Sequence, residues 1–94
     1  GAEHDNALII DVRRLKEWND GHLASAQHIP LQNIAKQSTT LLPDKGQKIY
    51  VYCRSGVRSG KARNILRQLG YSDVINAGGL NAAGKLLSDE IIVN

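Results

Sequence analysis

Apolar residues fall along this chain in two kinds of run, unbroken and spaced. Ala7-Leu8-Ile9-Ile10, ending at Asp11, and Ile49-Tyr50-Val51-Tyr52, ending at Cys53, are unbroken. Such runs predict strands buried on both faces, because a strand with one wet face would alternate. The β-branched and aromatic content of the second run strengthens the assignment. Val74-Ile75 predicts a third short strand, and His28-Ile29-Pro30 an extended piece, since the residue before a proline is pushed out of the helical region.

The spaced runs read as helices. Ala62, Ile65, Leu66 and Leu69 lie at i, i+3, i+4 and i+7, one stripe of a helix that Gly70 ends. Residues 14–20, with Leu15, Glu17 and Trp18, predict a brief helix stopped by Gly21, with Trp18 a core or lid residue. Leu31, Ile34 and Ala35 predict a small helix to about Ser38, and Leu80 to Leu87 a weaker one interrupted by Gly84. Turn chemistry marks Leu42-Pro43-Asp44-Lys45-Gly46 and Gly78-Gly79. Strands alternating with helices imply right-handed crossovers and an α/β sandwich: a central parallel sheet flanked by helices on both faces. Ligands bind such sheets beyond the carboxyl ends of the strands, where Cys53 lies.

Composition narrows the picture. With 94 residues, 41% of them hydrophobic and 22% charged, the chain is expected to be one globular domain over residues 1–94. No run approaches the ~18 apolar residues of a membrane span, so no membrane partner is expected. The chain starts at Gly1 and holds no methionine, so a processed mature form or a trimmed one is expected, either of which could have lost targeting information. One cysteine excludes an internal disulfide and leaves a thiol whose fate is either burial or reactivity. The absence of any heptad pattern makes a monomer the expected state.

Charge is uneven. Lys45, Lys48, Arg54, Arg58, Lys61, Arg63 and Arg67 are seven of the twelve bases, and no acid falls between Asp44 and Asp73. A positive segment attracts anions. Nucleic acid is not an expected partner, because the only rings near these bases are Tyr50, Tyr52 and Tyr71, and the first two sit at strand spacing. His4, His22 and His28 fit no zinc spacing, so they are read as structural, and neither a metal nor a cofactor is expected.

The chemistry gathers in Cys53-Arg54-Ser55-Gly56-Val57-Arg58-Ser59, which links a buried strand to a helix. Its N–H groups are placed to ring the cysteine sulfur, and a helix N-terminus adds about half a positive charge. Gly56 supplies backbone freedom, and Ser59 suits the start of the helix. An ordinary thiol titrates near 8.5; this setting is expected to make Cys53 largely thiolate at neutral pH. Arg54 and Arg58 are candidates to bind the oxygens of an anionic substrate, as guanidinium groups do.

The same loop, with Asp11-Val12-Arg13, Glu17-Trp18, Gly21-His22-Leu23, His28-Ile29-Pro30, Gly70-Tyr71 and Gly78-Gly79-Leu80 in order, resembles the rhodanese family over most of the chain. The resemblance implies a thiosulfate sulfurtransferase in which Cys53 carries sulfur as a persulfide. The loop residues Arg54 to Ser59 would form the substrate pocket, and Asp11 and Arg13 would brace the edge of the sheet. Implied partners are small sulfur donors and acceptors such as thiosulfate, cyanide or thiols. A relay role, taking persulfide from a partner protein, is the alternative. The size resembles small stand-alone members of the phage-shock type, which implies a periplasmic address, with the cytoplasm as alternative. Two positions depart from the pattern: Ser25 replaces a glycine and would strain a local turn, and no tryptophan follows Leu80 to pack the C-terminal segment. Four residues separate Cys53 from Arg58, whereas cysteine phosphatases place five there, so phosphatase and arsenate reductase rank below sulfur transfer.

Overall fold

The computed structural model describes residues 7–93. In chain order it runs β1 (Leu8–Asp11), α1 (Leu15–Asp20), β2 (His22–Leu23), β3 (Gln27–His28), a 3₁₀ turn (Leu31–Asn33), α2 (Ile34–Leu41), β4 (Ile49–Cys53), α3 (Val57–Gln68), β5 (Val74–Gly79), α4 (Leu80–Leu87) and β6 (Ile91–Ile92). The four strands β3-β1-β4-β5 make a parallel sheet in that order, the α/β arrangement the alternating pattern predicts.

Why β4 is unbroken in sequence is plain from its surroundings. All five of its residues are buried, with Ile49, Val51 and Cys53 facing one apolar cluster and Tyr50 and Tyr52 the other. The first cluster includes Ile34 and Leu42 from α2 and its cap, and Ala62 and Leu66 from α3. The second includes Leu23 from β2, and Ala83 and Leu87 from α4. Helices therefore cover both faces, and each fully buried Leu or Ile contributes about 1.5–3 kcal/mol. Cys53 ends the central strand on the α2/α3 side, with its side chain fully buried.

Expectations change at three elements. The helix after the 3₁₀ turn continues to Leu41 rather than about Ser38, and its end is held by the Tyr71 hydroxyl, which reaches the carbonyls of Ser38 and Leu42. Gly78 and Gly79 are not a turn; they close β5, which reaches four residues beyond the Val74-Ile75 run. Pairing slips between Val51 and Cys53, so that Cys53 lies opposite Gly79, and a Cβ on Gly79 would come 2.4 Å from the Arg54 carbonyl oxygen. That glycine is required by the close approach of two backbones. Gly84 does not interrupt α4, which runs unbroken from Leu80 to Leu87.

One feature has no counterpart in the predicted elements. β2 and β6 form a separate two-stranded antiparallel sheet, His22 opposite Ile92 and Leu23 opposite Ile91. The neighbouring turn is tied to the same C-terminal segment: the Ser25 N–H and hydroxyl donate to the Asp89 carboxylate at 2.9 and 3.2 Å. Ser25 does not have a positive φ, so the strain expected from losing the glycine is absent. Where the tryptophan is missing, Leu80 packs against the second apolar cluster, and Ala83 and Leu87 are buried within it.

Candidate active site

The bend from β4 into α3 turns the backbone N–H groups of Ser55, Gly56 and Ser59 towards one sulfur. Gly56 is the residue before the helix and adopts a left-handed conformation, φ 97° and ψ −8°, which glycine takes without a Cβ clash. Its N–H donates to Cys53 Sγ at 2.9 Å. The helix begins at Val57, not at Ser59. Ser59 instead sits buried in the first turn, with its Oγ 3.4 Å from Cys53 Sγ.

These contacts decide the protonation of the thiol. Burial, the largest single influence, pushes Cys53 up; hydrogen bonds from the Ser59 hydroxyl and from the N–H groups of Ser59, Ser55 and Gly56 outweigh it and bring the group down to about 7. Cys53 thus lies below the ordinary thiol range, at about 7, the direction expected of a thiol poised to ionise near neutral pH. Hydrogen bonding to the charged form is what lowers it.

The two arginines of the loop part company. Arg54 is exposed and lines an open cleft of about 710 Å³ together with Arg13, Glu17, Asp20, Gly79 and Leu80. Arg58 instead makes a two-pronged pair with Glu17, its Nη1 2.6 Å from Oε1 and its Nη2 2.8 Å from Oε2. That pair clips α1 to the first turn of α3. Glu17, which no sequence argument singled out as a partner, is lowered to about 2, chiefly by its hydrogen bonds to Arg58. Not all of the positive segment is available to anions either, since Lys45 Nζ donates to the Leu69 carbonyl and Arg67 Nη2 to the Val74 carbonyl.

Asp11 and Arg13 meet at the end of β1. The Asp11 carboxylate accepts the Arg13 backbone N–H at 2.8 Å and the guanidinium at 2.8–3.1 Å, and Arg13 also donates to the Gly21 carbonyl. Both side chains are nearly or fully out of solvent. Asp11 lies opposite Tyr52 in the register, and the Arg13 guanidinium stands 5.7 Å from the Tyr52 ring centre. Trp18 stacks on His22 at 3.5 Å between ring centres and on His28 at 4.9 Å, while His28 Nε2 lies 2.7 Å from the Arg13 carbonyl oxygen. These two histidines and the tryptophan thus build the wall behind Arg13. His4 lies outside the described residues. No group of three or more metal-ligating side chains occurs among the described residues, and no helix there is long and apolar enough to cross a membrane.

Sequence reasoning missed Asn76. Its Nδ2 donates to the Gly56 carbonyl at 2.9 Å, and its Oδ1 accepts from the Ser59 hydroxyl at 2.6 Å and the Gly78 N–H at 3.0 Å. A signal existed: asparagine is depleted in strands, and one placed just before Gly78-Gly79 needs partners there.

The fold is thus an α/β protein with a cysteine at the carboxyl end of an inner parallel strand, wrapped by the turn into the next helix so that hydrogen-bond donors meet its sulfur. Comparison with known proteins makes the class specific. A rhodanese-like domain profile matches residues 1–84. Over 71 residues the chain is 42% identical to the thiosulfate sulfurtransferase PspE of Escherichia coli K12, a match covering 76% of this chain and 68% of PspE. It is 38% identical over 90 residues to the tRNA uridine(34) hydroxylase of onion yellows phytoplasma, covering 88% of this chain but only 29% of that protein. An E. coli rhodanese solved with anions superposes with a TM-score of 0.84 at 34% identity, over 94% of this chain and 99% of that one. The chain belongs to the rhodanese-like family, and sulfur transfer is the class of chemistry that this membership and the match to PspE support.

Proposed function

We propose that the protein moves sulfane sulfur from thiosulfate to cyanide or a thiol through a persulfide on Cys53. The observation that carries this reading is the convergence of the Gly56 N–H and the Ser59 hydroxyl on a cysteine sulfur that titrates near 7. In the first step the thiolate attacks the outer sulfur of thiosulfate. A new S–S bond forms, the old one breaks, and sulfite leaves with the electron pair. In the second step cyanide attacks the outer sulfur of the persulfide, thiocyanate departs, and the Cys53 thiolate is restored. Splitting the transfer into two displacements is nucleophilic catalysis in its simplest form, and no side-chain base is needed.

Arg54, Ser55, Gly56, Val57, Arg58 and Ser59 form the pocket in this account. Backbone donors hold the persulfide anion in a fixed cage whose dipoles are already aimed at the charge. Arg54, exposed in the cleft, meets the sulfonate oxygens of the donor; Arg58 joins it when Glu17 releases it. Asp11 and Arg13 brace the edge from behind. The fully buried sulfur suits a slim donor with a terminal sulfur better than a bulky phosphoryl group. The likeness to the thiosulfate sulfurtransferase PspE supports the choice of donor, and we extend the reading to a periplasmic monomer, testable by fractionating cells and by size-exclusion chromatography.

The experiment is thiocyanate production from thiosulfate and cyanide. Wild type is expected to turn over and Cys53→Ala to show none above the uncatalysed rate. Turnover by Cys53→Ala would sink the mechanism, and wild-type inactivity with a persulfide present would replace it by a relay fed by a partner protein.

A further inference from the structure

Ser59 carries a single hydroxyl proton, yet its Oγ lies within reach of two acceptors, Asn76 Oδ1 at 2.6 Å and Cys53 Sγ at 3.4 Å. The shorter contact takes the proton while the sulfur is neutral. Charge-assisted hydrogen bonds are roughly twice as strong as neutral ones, so an anionic Sγ draws the same proton over. Asn76 thereby parks the hydroxyl beside the sulfur in every state. Its other end works on the loop: Nδ2 holds the Gly56 carbonyl, and the N–H of that same residue points at Sγ. The Gly78 N–H donates to Oδ1, which fixes the amide orientation and leaves Nδ2 facing Gly56. Gly60 packs against the same nitrogen, so a Cβ there would lie 3.4 Å from it.

We propose that Asn76 is a positioning residue for Cys53: its side-chain amide clamps the Gly56 carbonyl and the Ser59 hydroxyl so that two of the donors to the sulfur stay aimed at it. The inference rests on the sulfur-transfer reading and adds to it a residue outside the cysteine loop. It matters most in the second step. When the acceptor takes the outer sulfur, the S–S bond breaks and its electron pair returns to Sγ, so the leaving thiolate gains its charge within reach of the Ser59 hydroxyl. Removing the clamp leaves both donors free to turn away, raises the thiolate in energy and slows its departure.

The test is the pH dependence of Cys53 alkylation by iodoacetamide, read on the intact protein, for wild type, Asn76→Ala, Ser59→Ala and the double variant. Arg58, the cation whose charge interacts with Cys53, and its partner Glu17 are unaltered in all four. Wild type is expected to titrate near 7. Asn76→Ala is expected to move the midpoint up to about 8; about a tenth of the thiol is then ionised at pH 7, and alkylation there slows roughly fivefold. The double variant is expected to shift by less than the sum of the single ones, because both act through one hydroxyl. Circular dichroism and thermal melting report folding; should Asn76→Ala not fold, Asn76→Leu keeps the volume and is read in the same way. A midpoint unmoved or lowered, with folding intact, would overturn the inference, as would strictly additive shifts. Sulfur uptake by wild type from thiosulfate is scored separately: its failure sinks the sulfur-transfer reading, whereas normal uptake with an unmoved Asn76→Ala midpoint sinks only the role of Asn76.

Discussion

Two ion pairs flank the cysteine, and they are opposites in setting. Asp11 and Arg13 are two residues apart, with side chains 0% and 6% exposed. Glu17 and Arg58 are 41 residues apart and sit a quarter and nearly a third exposed. The first pair is saturated by further hydrogen bonds, to a backbone N–H and to the Gly21 carbonyl, so neither charge is left bare in the low-dielectric interior. The second has water at hand for either partner, and can open without stranding a charge. A buried pair that stays closed is a brace; a partly exposed one that opens would be a latch on Arg58, the cation proposed to meet the sulfur donor.

The sharpest way to break that contrast is to remove one partner from each. Asp11→Ala strands Arg13 in the interior and is expected to cost about 3–5 kcal/mol by urea unfolding, a large share of the ~5–15 kcal/mol a domain of this kind possesses. Glu17→Gln removes a partly exposed partner and is expected to cost about 1 kcal/mol or less. A similar loss from both variants would erase the distinction between brace and latch.

The smaller effect is the more informative for function. In Glu17→Gln the guanidinium of Arg58 is released and a carboxylate leaves the cleft, so the KM for thiosulfate is expected to fall roughly threefold, worth about 0.6 kcal/mol. The pH dependence follows from the sign of the shift. Glu17 has its folded value depressed from the ordinary 4.5 to about 2, so its contribution to stability is complete above the unfolded value and is lost as pH falls from about 4.5 through about 2. Unfolding measured from pH 6 to pH 2 is expected to show that loss in wild type and less of it in Glu17→Gln. A KM that rises instead would mean that Glu17 positions Arg58 for the donor rather than withholding it.

Elements set by local pattern were legible in the chain; contacts between distant segments were not. The unbroken run into Cys53 and the stripe Ala62, Ile65, Leu66 and Leu69 each announced their own structure, because burial on two faces or on one leaves a fixed periodicity. β2 and β6 left none. Two residues cannot show a period, and Leu23 finds Ile91 only because the chain returns there. Gly78-Gly79 read as a turn because glycine pairs usually are one, whereas here the close approach of the Arg54 carbonyl demands the missing Cβ.

The site divides along the same line. Cys53, Gly56 and the loop around them stand together in sequence, and the cradle was foreseeable from strand, glycine and helix. Ser59 was read both as a pocket residue and as the start of the helix; the helix starts two residues earlier, which carries the hydroxyl beside the sulfur instead of onto a backbone N–H. Glu17 was quoted within a motif without a partner, since nothing local connects it to Arg58. Asn76 was overlooked because two of its three partners, Ser59 and Gly56, lie 17 and 20 residues away in sequence, and only Gly78 is local.

The most direct measurement is the intact mass of the protein after exposure to thiosulfate and again after cyanide. The account predicts a gain of one sulfur atom on wild type, its loss on adding cyanide with one thiocyanate released per chain, and no gain on Cys53→Ala. A mass unchanged by thiosulfate in folded wild type, or a sulfur retained after cyanide, would contradict the claim that Cys53 is the carrier of transferable sulfur.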